Sequence, residues 1–410
     1  MVFLSRRVGG RFFRRCDEGD GYRDWRPSRV RARRVAAEAV IVQEMGRMRA
    51  MRPIPIALGS HNSFEDKVDV VVYSNAMRII IATGLYPPEI GGPAYYARGL
   101  EEAFRALGHD SVVVSYRGLR RLPTGISHAL YFARLFPRLF SAHAVIALDT
   151  ASVAIPSALA CVLTGTQFIV RTGGDFVWEH YLDRTKDMLP LARFYAEHKP
   201  LSFKERLVLA LTRWALSRAV IVFSTKLQRD VWIKPYGLAL DRTKIIGNAV
   251  DMPLPPAPPR AKNFLWHVRP IAMKNGERLH AAFARAKAEH PEIKLEEGLI
   301  HKKELLERMK SCYAVILPSL TEISPNYILD ALRFKKPFIM DKYSGFAEWL
   351  APYGTLVDPL DEDGIVRAIS ELAEDAGYER AKKKADAFSF VRSYDEVASD
   401  FLELIRGLKP

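Results

Sequence analysis

The sequence predicts an α/β protein of two Rossmann-like, doubly wound domains facing a central cleft. Three observations carry this. From residue 77 onward, short apolar runs alternate with amphipathic helical patterns. The alternation pauses at 252–261, where five prolines in ten residues make a stiff, extended hinge. A second alternating run then follows. Alternation of this kind builds a parallel sheet with helices on both faces. Two such sheets leave a cleft at the carboxyl ends of their strands, where ligands of open α/β sheets sit.

The first 76 of the 410 residues stand apart from this pattern. They hold 14 Arg, one Lys and nine acids, with no sustained hydrophobic period. The whole chain carries +14, so this stretch supplies almost half of the excess at +6. A basic arm for phosphate or membrane is one reading. A disordered or spurious upstream extension is the favoured one, because a buried-strand pattern opens afresh at Met77.

In the first domain, 77–251, strand patterns fall at 78–82, 111–115, 144–148, 167–170 and 219–223. Helical patterns lie between them, such as 94–107 and 202–217. In the second, 262–385, strands are expected at 263–268, 293–296, 313–317, 337–340 and 354–357. Helices are expected at 276–289, 303–311, 325–334 and 363–374. The last stretch, 386–407, reads as one C-terminal helix.

Composition narrows the function classes. With 49% hydrophobic and 26% charged residues the chain is globular, neither disordered nor collagen-like. Its uneven charge argues against a uniformly basic nucleic-acid binder, and no nucleic-acid partner is expected. The apolar run closest to membrane-spanning length, 151–164, is broken by Pro156 and too short to cross a bilayer. Cys16, Cys161 and Cys312 are scattered and odd in number, which suits neither a disulfide framework nor a zinc site. A reducing cytoplasm is the default location.

Three segments carry the chemistry. In the loop 86–93, Gly91 and Gly92 let backbone approach a ligand at a helix start, although a plain turn fits equally. In 318–331, Glu322 precedes a helix for which Ser324 is the expected N-cap and Pro325 the first residue. That arrangement would leave the amides of Asn326 and Tyr327 to hold a phosphate or hydroxyl. Asp330, four residues beyond Asn326, falls on the same helix face. The two carboxylates could then divide a nucleotide-sugar, one on sugar hydroxyls and one on the ribose, or simply belong to a capped helix. Arg269 and Lys274, five residues apart at a strand end, favour the ligand reading because two cations there suit a leaving diphosphate.

Several stretches together resemble the family 4 retaining glycosyltransferases of the GT-B fold over about 77–410. They are MRIIIATGLYPPEIGGPAYYARGLEEAFRALGHDSVVVSY, IVRTGGDFVWEHY, IGNAVD, Arg269 with Lys274, and EISPNYILD. The resemblance implies transfer of a sugar from a nucleotide-diphosphate donor with retention; the cations Arg269 and Lys274 with helix-start amides can stabilise the leaving diphosphate without metal. It implies that Arg269 and Lys274 bind the diphosphate, Glu322 the donor sugar and Asp330 the ribose, with Gly91 and Gly92 near the phosphates. It also implies a C-terminal helix that crosses back onto the first domain.

Three departures stand out. The second motif glutamate is Asp330, one methylene shorter. Ile-Ser-Pro replaces a glycine-rich stretch, and since Pro325 has no amide to donate, phosphate contact shifts to Asn326 and Tyr327. Where relatives carry a histidine, this chain has Gly173-Gly174-Asp175; Asp175 is the candidate substitute, with helix capping an equal alternative.

Asp361-Glu362-Asp363 reads as a helix start rather than a metal site. Residues 117–140 interleave Arg117, Arg120, Arg121, Arg134 and Arg138 with aromatics. This pattern fits either a membrane-surface element or a helix packing on its own domain. A glycan or lipid-linked acceptor, with peripheral contact at an anionic inner membrane face, is therefore an expectation. A GT-B sugar-nucleotide epimerase and a non-catalytic membrane or polyanion binder are the competing readings.

Overall fold

The continuous apolar runs become strands buried on both faces. The computed structural model describes residues 76–89 and 91–408, together with an antiparallel pairing of Val2–Phe3 with Val71–Val72. The Arg-rich stretch 1–76, expected to be a disordered or spurious extension, lies almost wholly outside the described residues. Met1–Asn75 and Ala76–Pro410 are separate compact units, and all that follows concerns the second.

Its first sheet holds β1 (Arg78–Thr83), β2 (Asp110–Ser115), β3 (Ala144–Ala147), β4 (Gln167–Arg171), β5 (Val220–Phe223) and β6 (Thr243–Ile245). The order is β2-β1-β3-β4-β5-β6, parallel throughout. β1 lies between β2 and β3, so Ile79, Ile80 and Ile81 are fully buried. Such a strand reads as an unbroken apolar run, not an alternation. β6 escaped the sequence reading because it is a three-residue edge strand with an exposed Lys244 and Ile245.

The helices of this lobe are α1 (Gly92–Ala106), α2 (Thr124–Leu139), α3 (Ala154–Thr164), α4 (Phe176–Thr185), α5 (Leu191–Ala196), α6 (Phe203–Leu216) and α7 (Lys226–Tyr236). Right-handed crossovers place α1 on one face of the sheet and α2, α3, α6 and α7 on the other. The two hydrophobic cores divide in the same way, with Tyr96, Leu100 and Phe104 on one side and Tyr131, Cys161 and Leu209 on the other.

The second sheet holds β7 (Asn263–Trp266), β8 (Lys294–Glu297), β9 (Ala314–Leu317), β10 (Phe338–Asp341) and β11 (Thr355–Val357), in parallel order β8-β7-β9-β10-β11. Around it lie α8 (Gly276–Glu289), α9 (Lys302–Ser311), α10 (Asn326–Arg333), α11 (Ala347–Leu350), α12 (Glu362–Ala373) and α13 (Asp375–Asp386). The chain ends on α14 (Tyr394–Gly407). The two-sheet, doubly wound α/β architecture expected from the sequence is thus the one present.

The crossing between the sheets is tight. Ile246 belongs to a core of the first lobe and Val250 to one of the second. Val250 and Arg392, on the returning strand of chain, exchange both backbone hydrogen bonds, at 2.8 and 2.9 Å. The proline-rich stretch is strapped to the second lobe, with Leu254 N–H donating to Arg333 C=O and Ala257 N–H to Lys310 C=O, each at 2.7 Å.

The single C-terminal helix expected over 386–407 is broken. α13 stops at Asp386, and Phe388 and Phe390 pack on Trp349. Ser393 and Glu396 then form a capping box that starts α14 afresh. α14 does return to the first lobe: Val397, Phe401 and Ile405 pack with Tyr96, Leu100 and Phe104. Gly99 of α1 is required there, because a Cβ would enter the Tyr394 ring.

Phe401 is fully buried in this contact and Glu403 is exposed. Phe401→Ala is expected to cost about 3–5 kcal/mol in urea unfolding, and Glu403→Ala under about 0.5 kcal/mol. Equal effects would contradict the docking of α14.

Candidate active site

The site lies where the carboxyl ends of both sheets meet. From the first lobe it takes the loop after β1. Gly91 adopts φ 156° and ψ 152°, a combination essentially reserved for glycine, and sets the direction of α1. α1 has no side-chain cap and no acid in its first turn, so the positive end of its dipole is uncompensated.

From the second lobe comes the loop after β9 and the start of α10. The expected cap by Ser324 is not what forms. Pro325 takes the N-cap position at φ −77° and ψ 74°, an inverse γ-turn in which the Asn326 amide donates to the Ser324 carbonyl at 2.9 Å. The Asn326 amide is therefore engaged and not open to a phosphate, a correction that follows from proline's fixed φ. The Ser324 hydroxyl instead accepts from the Asn248 side-chain amide at 2.7 Å. α10 also lacks a side-chain cap and a first-turn acid.

These two helix starts face each other. The position a Cβ on Gly92 would occupy is 3.9 Å from Asn326 Nδ2. Asn248, at the crossing between lobes, ties the α10 entrance to β4: its amide nitrogen also donates to Asn326 Oδ1 at 3.1 Å, and its oxygen accepts from Arg171. Arg171 lies over the Tyr96 ring, 4.3 Å from its centre.

The carboxylates sit beside this pair. Glu322 is buried, accepts the Ser319 hydroxyl at 2.6 Å and is ion-paired with Lys274. Lys274 is held in place because Asn275, in a left-handed conformation, donates its side-chain amide to Pro318 C=O (3.0 Å) and Pro359 C=O (2.8 Å). Asp341, fully buried at the end of β10, lies near Glu322; burial raises its pKa well above the carboxylate range, and Glu322 adds to this. Arg269 is exposed, and among the described residues no hydrogen bond or ion pair engages its guanidinium.

Asp330 is buried and matched by Lys302 and by Arg333, the latter at 3.3 Å. Tyr327 accepts the His267 backbone N–H through its hydroxyl at 3.0 Å, fixing α10 to the end of β7. His267 Nδ1 lies 2.9 Å from the Gly298 carbonyl.

Asp175 does not reach the cleft as the stand-in for a histidine. It is almost wholly buried and caps α4, accepting the Trp178 amide at 3.0 Å. Its other oxygen accepts the Tyr195 hydroxyl at 2.6 Å and the Tyr236 hydroxyl at 3.2 Å. Every acceptor direction is thus turned inward, and burial raises its pKa. Asp361 likewise caps a helix, α12, through the Gly364 amide at 3.0 Å, while Glu362 and Asp363 pair with Arg285.

The residue that faces the site from this region is Glu179, one turn into α4. A Cβ on Gly174 would collide with its carboxylate, so the glycine is what leaves it room. Burial raises its pKa to about 7, with Asp175 and Glu322 adding to the rise and Arg269 and Lys274 opposing it. Sequence reasoning missed Glu179, Asn248, Arg171 and Lys302. The first three lie in the quoted stretches IVRTGGDFVWEHY and IGNAVD, and the available signal for Glu179 was a second acid, one helical turn beyond Asp175.

Solved structures share this architecture at low identity. Sucrose-phosphate synthase from Thermosynechococcus elongatus has a TM-score of 0.59 at 14% identity, over 80% of this chain and 98% of that one. WaaG, a glycosyltransferase involved in lipopolysaccharide biosynthesis, has 0.58 at 14% identity, over 80% of this chain and 100% of its own. HepE of Anabaena, solved with UDP and glucose, has 0.57 at 14%, over 81% and 100%. No family model and no curated protein matches the chain. The fold is that of the GT-B glycosyltransferases.

Glu179 gives the site a pH signature. Its pKa is higher in the folded protein than the ordinary 4.5, so the folded state binds more protons between pH 4.5 and about 7. Stability is therefore expected to fall as pH rises through that window, by on the order of 2–3 kcal/mol from this group. Glu179→Gln should flatten the slope and melt higher than the parent at pH 8. An unchanged pH dependence of the melting temperature would show that Glu179 does not hold a raised pKa in the folded protein.

Proposed function

We propose that this chain is a glycosyltransferase that moves a hexosyl group from a nucleotide-diphosphate sugar to a glycan or lipid-linked acceptor. Retention at the anomeric carbon and independence from metal are part of the reading. The observation that carries it is the pair of uncapped, acid-free helix starts, α1 and α10, facing each other beside Lys274 and Arg269. A helix start offers amides and a positive dipole end to an anion. Two of them with two cations suit a diphosphate.

In this reading the diphosphate lies between Gly91–Gly92 and the start of α10, where the free amide is that of Tyr327. Arg269 and Lys274 neutralise the charge that grows on the leaving group as the bond from the anomeric carbon breaks. That is the task a metal would otherwise perform. Glu322 holds donor-sugar hydroxyls and Asp330 the ribose, with Lys302 and Arg333 fixing the Asp330 carboxylate. The residues 262–385 serve the donor and 77–251 the acceptor, on either side of the hinge at 252–261. Asp175 positions α4, and through it Glu179, rather than touching substrate. Free, buried thiols at Cys161 and Cys312 suit a cytoplasmic setting.

Titration with UDP-, GDP- and ADP-sugars in chelator-containing buffer tests this. One of them should raise the melting temperature by mass action, and Arg269→Ala should weaken it by about 10–100-fold. Glu322→Gln should discriminate against the sugar nucleotide while sparing the bare nucleotide. Unchanged affinity in both variants would remove the site assignment. Conversion of labelled donor to its epimer without acceptor would replace transfer by epimerisation.

A further inference from the structure

The outward surfaces of α2, α3 and α6 share a property their packing does not explain. Each helix buries one stripe against the first sheet and carries a second apolar stripe in solvent. On α2 these are Ile126 and Leu130, with Leu122 and Phe140 just beyond its ends. On α3 they are Leu159, Val162 (52% exposed) and Leu163 (62%), and on α6 Phe203 (75%), Leu207 and Leu211. The spacings are three, four and eight residues, so each set lies along one helix face. α3 packs between α2 and α6, which joins the three stripes into one surface. Single exposed leucines are ordinary; a surface running across three adjacent helices is not.

The exposed charge on these three helices is of one sign. α3 has no charged residue, and α2 has no acid. The one acid of α6, Glu205, is buried and paired with Arg184. The flanking helices carry Arg134, Arg138, Lys204, Arg206 and Arg213. Among the described residues none of these cations pairs with a carboxylate; Arg134, Arg138 and Arg213 donate to backbone carbonyls and Lys204 approaches His180. The surface therefore has an apolar centre and basic flanks.

We infer that the outer face of α2, α3 and α6 docks on an anionic lipid bilayer. Apolar side chains enter the acyl boundary while the flanking cations meet lipid phosphates. A second copy of the chain fits less well, because a two-fold contact would set the same cations against themselves. Among the described residues no helix is long and apolar enough to cross a membrane, so this face lies on the bilayer and does not span it. α6 precedes β5 in a parallel crossover, which puts its N-terminal end at the cleft side of the sheet. Phe203 would thus sit at the edge where the cleft opens. Within 117–140, Tyr131 and Leu135 of α2 pack inward, as the helix-packing reading expects, while Ile126 and Leu130 face out. The inference is independent of the donor chemistry proposed above, and its test contains neither donor nor acceptor.

Flotation of the full chain with vesicles of phosphatidylcholine alone, or with about a third phosphatidylglycerol, tests it. The chain should float with the anionic vesicles and bind the neutral ones far less. Leu130→Ser/Leu163→Ser/Leu207→Ser alters only exposed positions and should melt like the parent while binding about a hundredfold more weakly. Lys204→Gln/Arg206→Gln, which leaves the apolar residues in place, should lose about fivefold per charge on anionic vesicles only. Three results would overturn the inference. They are no flotation of the parent chain, parent-like flotation of the triple variant, and a dimer in sedimentation equilibrium that the triple variant abolishes.

Discussion

The geometry of the cleft hangs on the short crossing at 246–251. A parallel sheet delivers its loops to one end, so two such sheets make a site only if those ends are brought together. Here the two chain crossings are bonded to each other through Val250 and Arg392, and α14 packs back onto α1. Asn248 sits within the crossing and spends its side-chain amide on both lobes, taking a hydrogen bond from Arg171 and giving two to the α10 entrance. The approach of Gly92 to Asn326 follows from this, and with it the confrontation of two helix starts that supports a diphosphate-binding role.

Two carboxylates of the cleft have cations beside them. Glu322 has Lys274, and Asp330 has Lys302 and Arg333. Arg269 stands exposed without an ion pair among the described residues, and Glu179 answers burial by holding its proton up to about pH 7. An incoming diphosphate would find Arg269 unspent and Lys274 already oriented, which limits the reorganisation that binding requires.

Most of the fold was legible because a strand buried on both faces leaves an unbroken apolar run, as in Ile79–Ile81 and Ala314–Leu317. The helix over 276–289 was readable from its pattern and is present as α8 over the same residues. Site residues were less so. Lys274 and Glu322 were found through local spacing, but their pairing spans 48 residues and no local pattern states it. Lys302 reaches Asp330 from another helix, so its role is set by packing alone. Ser324 misled because a Ser-Pro pair before a helix usually means cap and first turn. The cap was displaced by a γ-turn at Pro325 once Asn248 claimed the hydroxyl. Asp175 was ambiguous for a related reason: an acid after two glycines suits a cap and a ligand equally, and two tyrosines from distant helices decided the matter.

Diphosphate binding is proposed for the facing starts of α1 and α10 with Arg269 and Lys274. Calorimetric comparison of a nucleoside diphosphate with its monophosphate, across ionic strength, tests that most directly. The diphosphate is expected to bind at least about tenfold tighter, with an advantage that shrinks as salt rises. Equal affinity for the two, or a preference indifferent to salt, would contradict it.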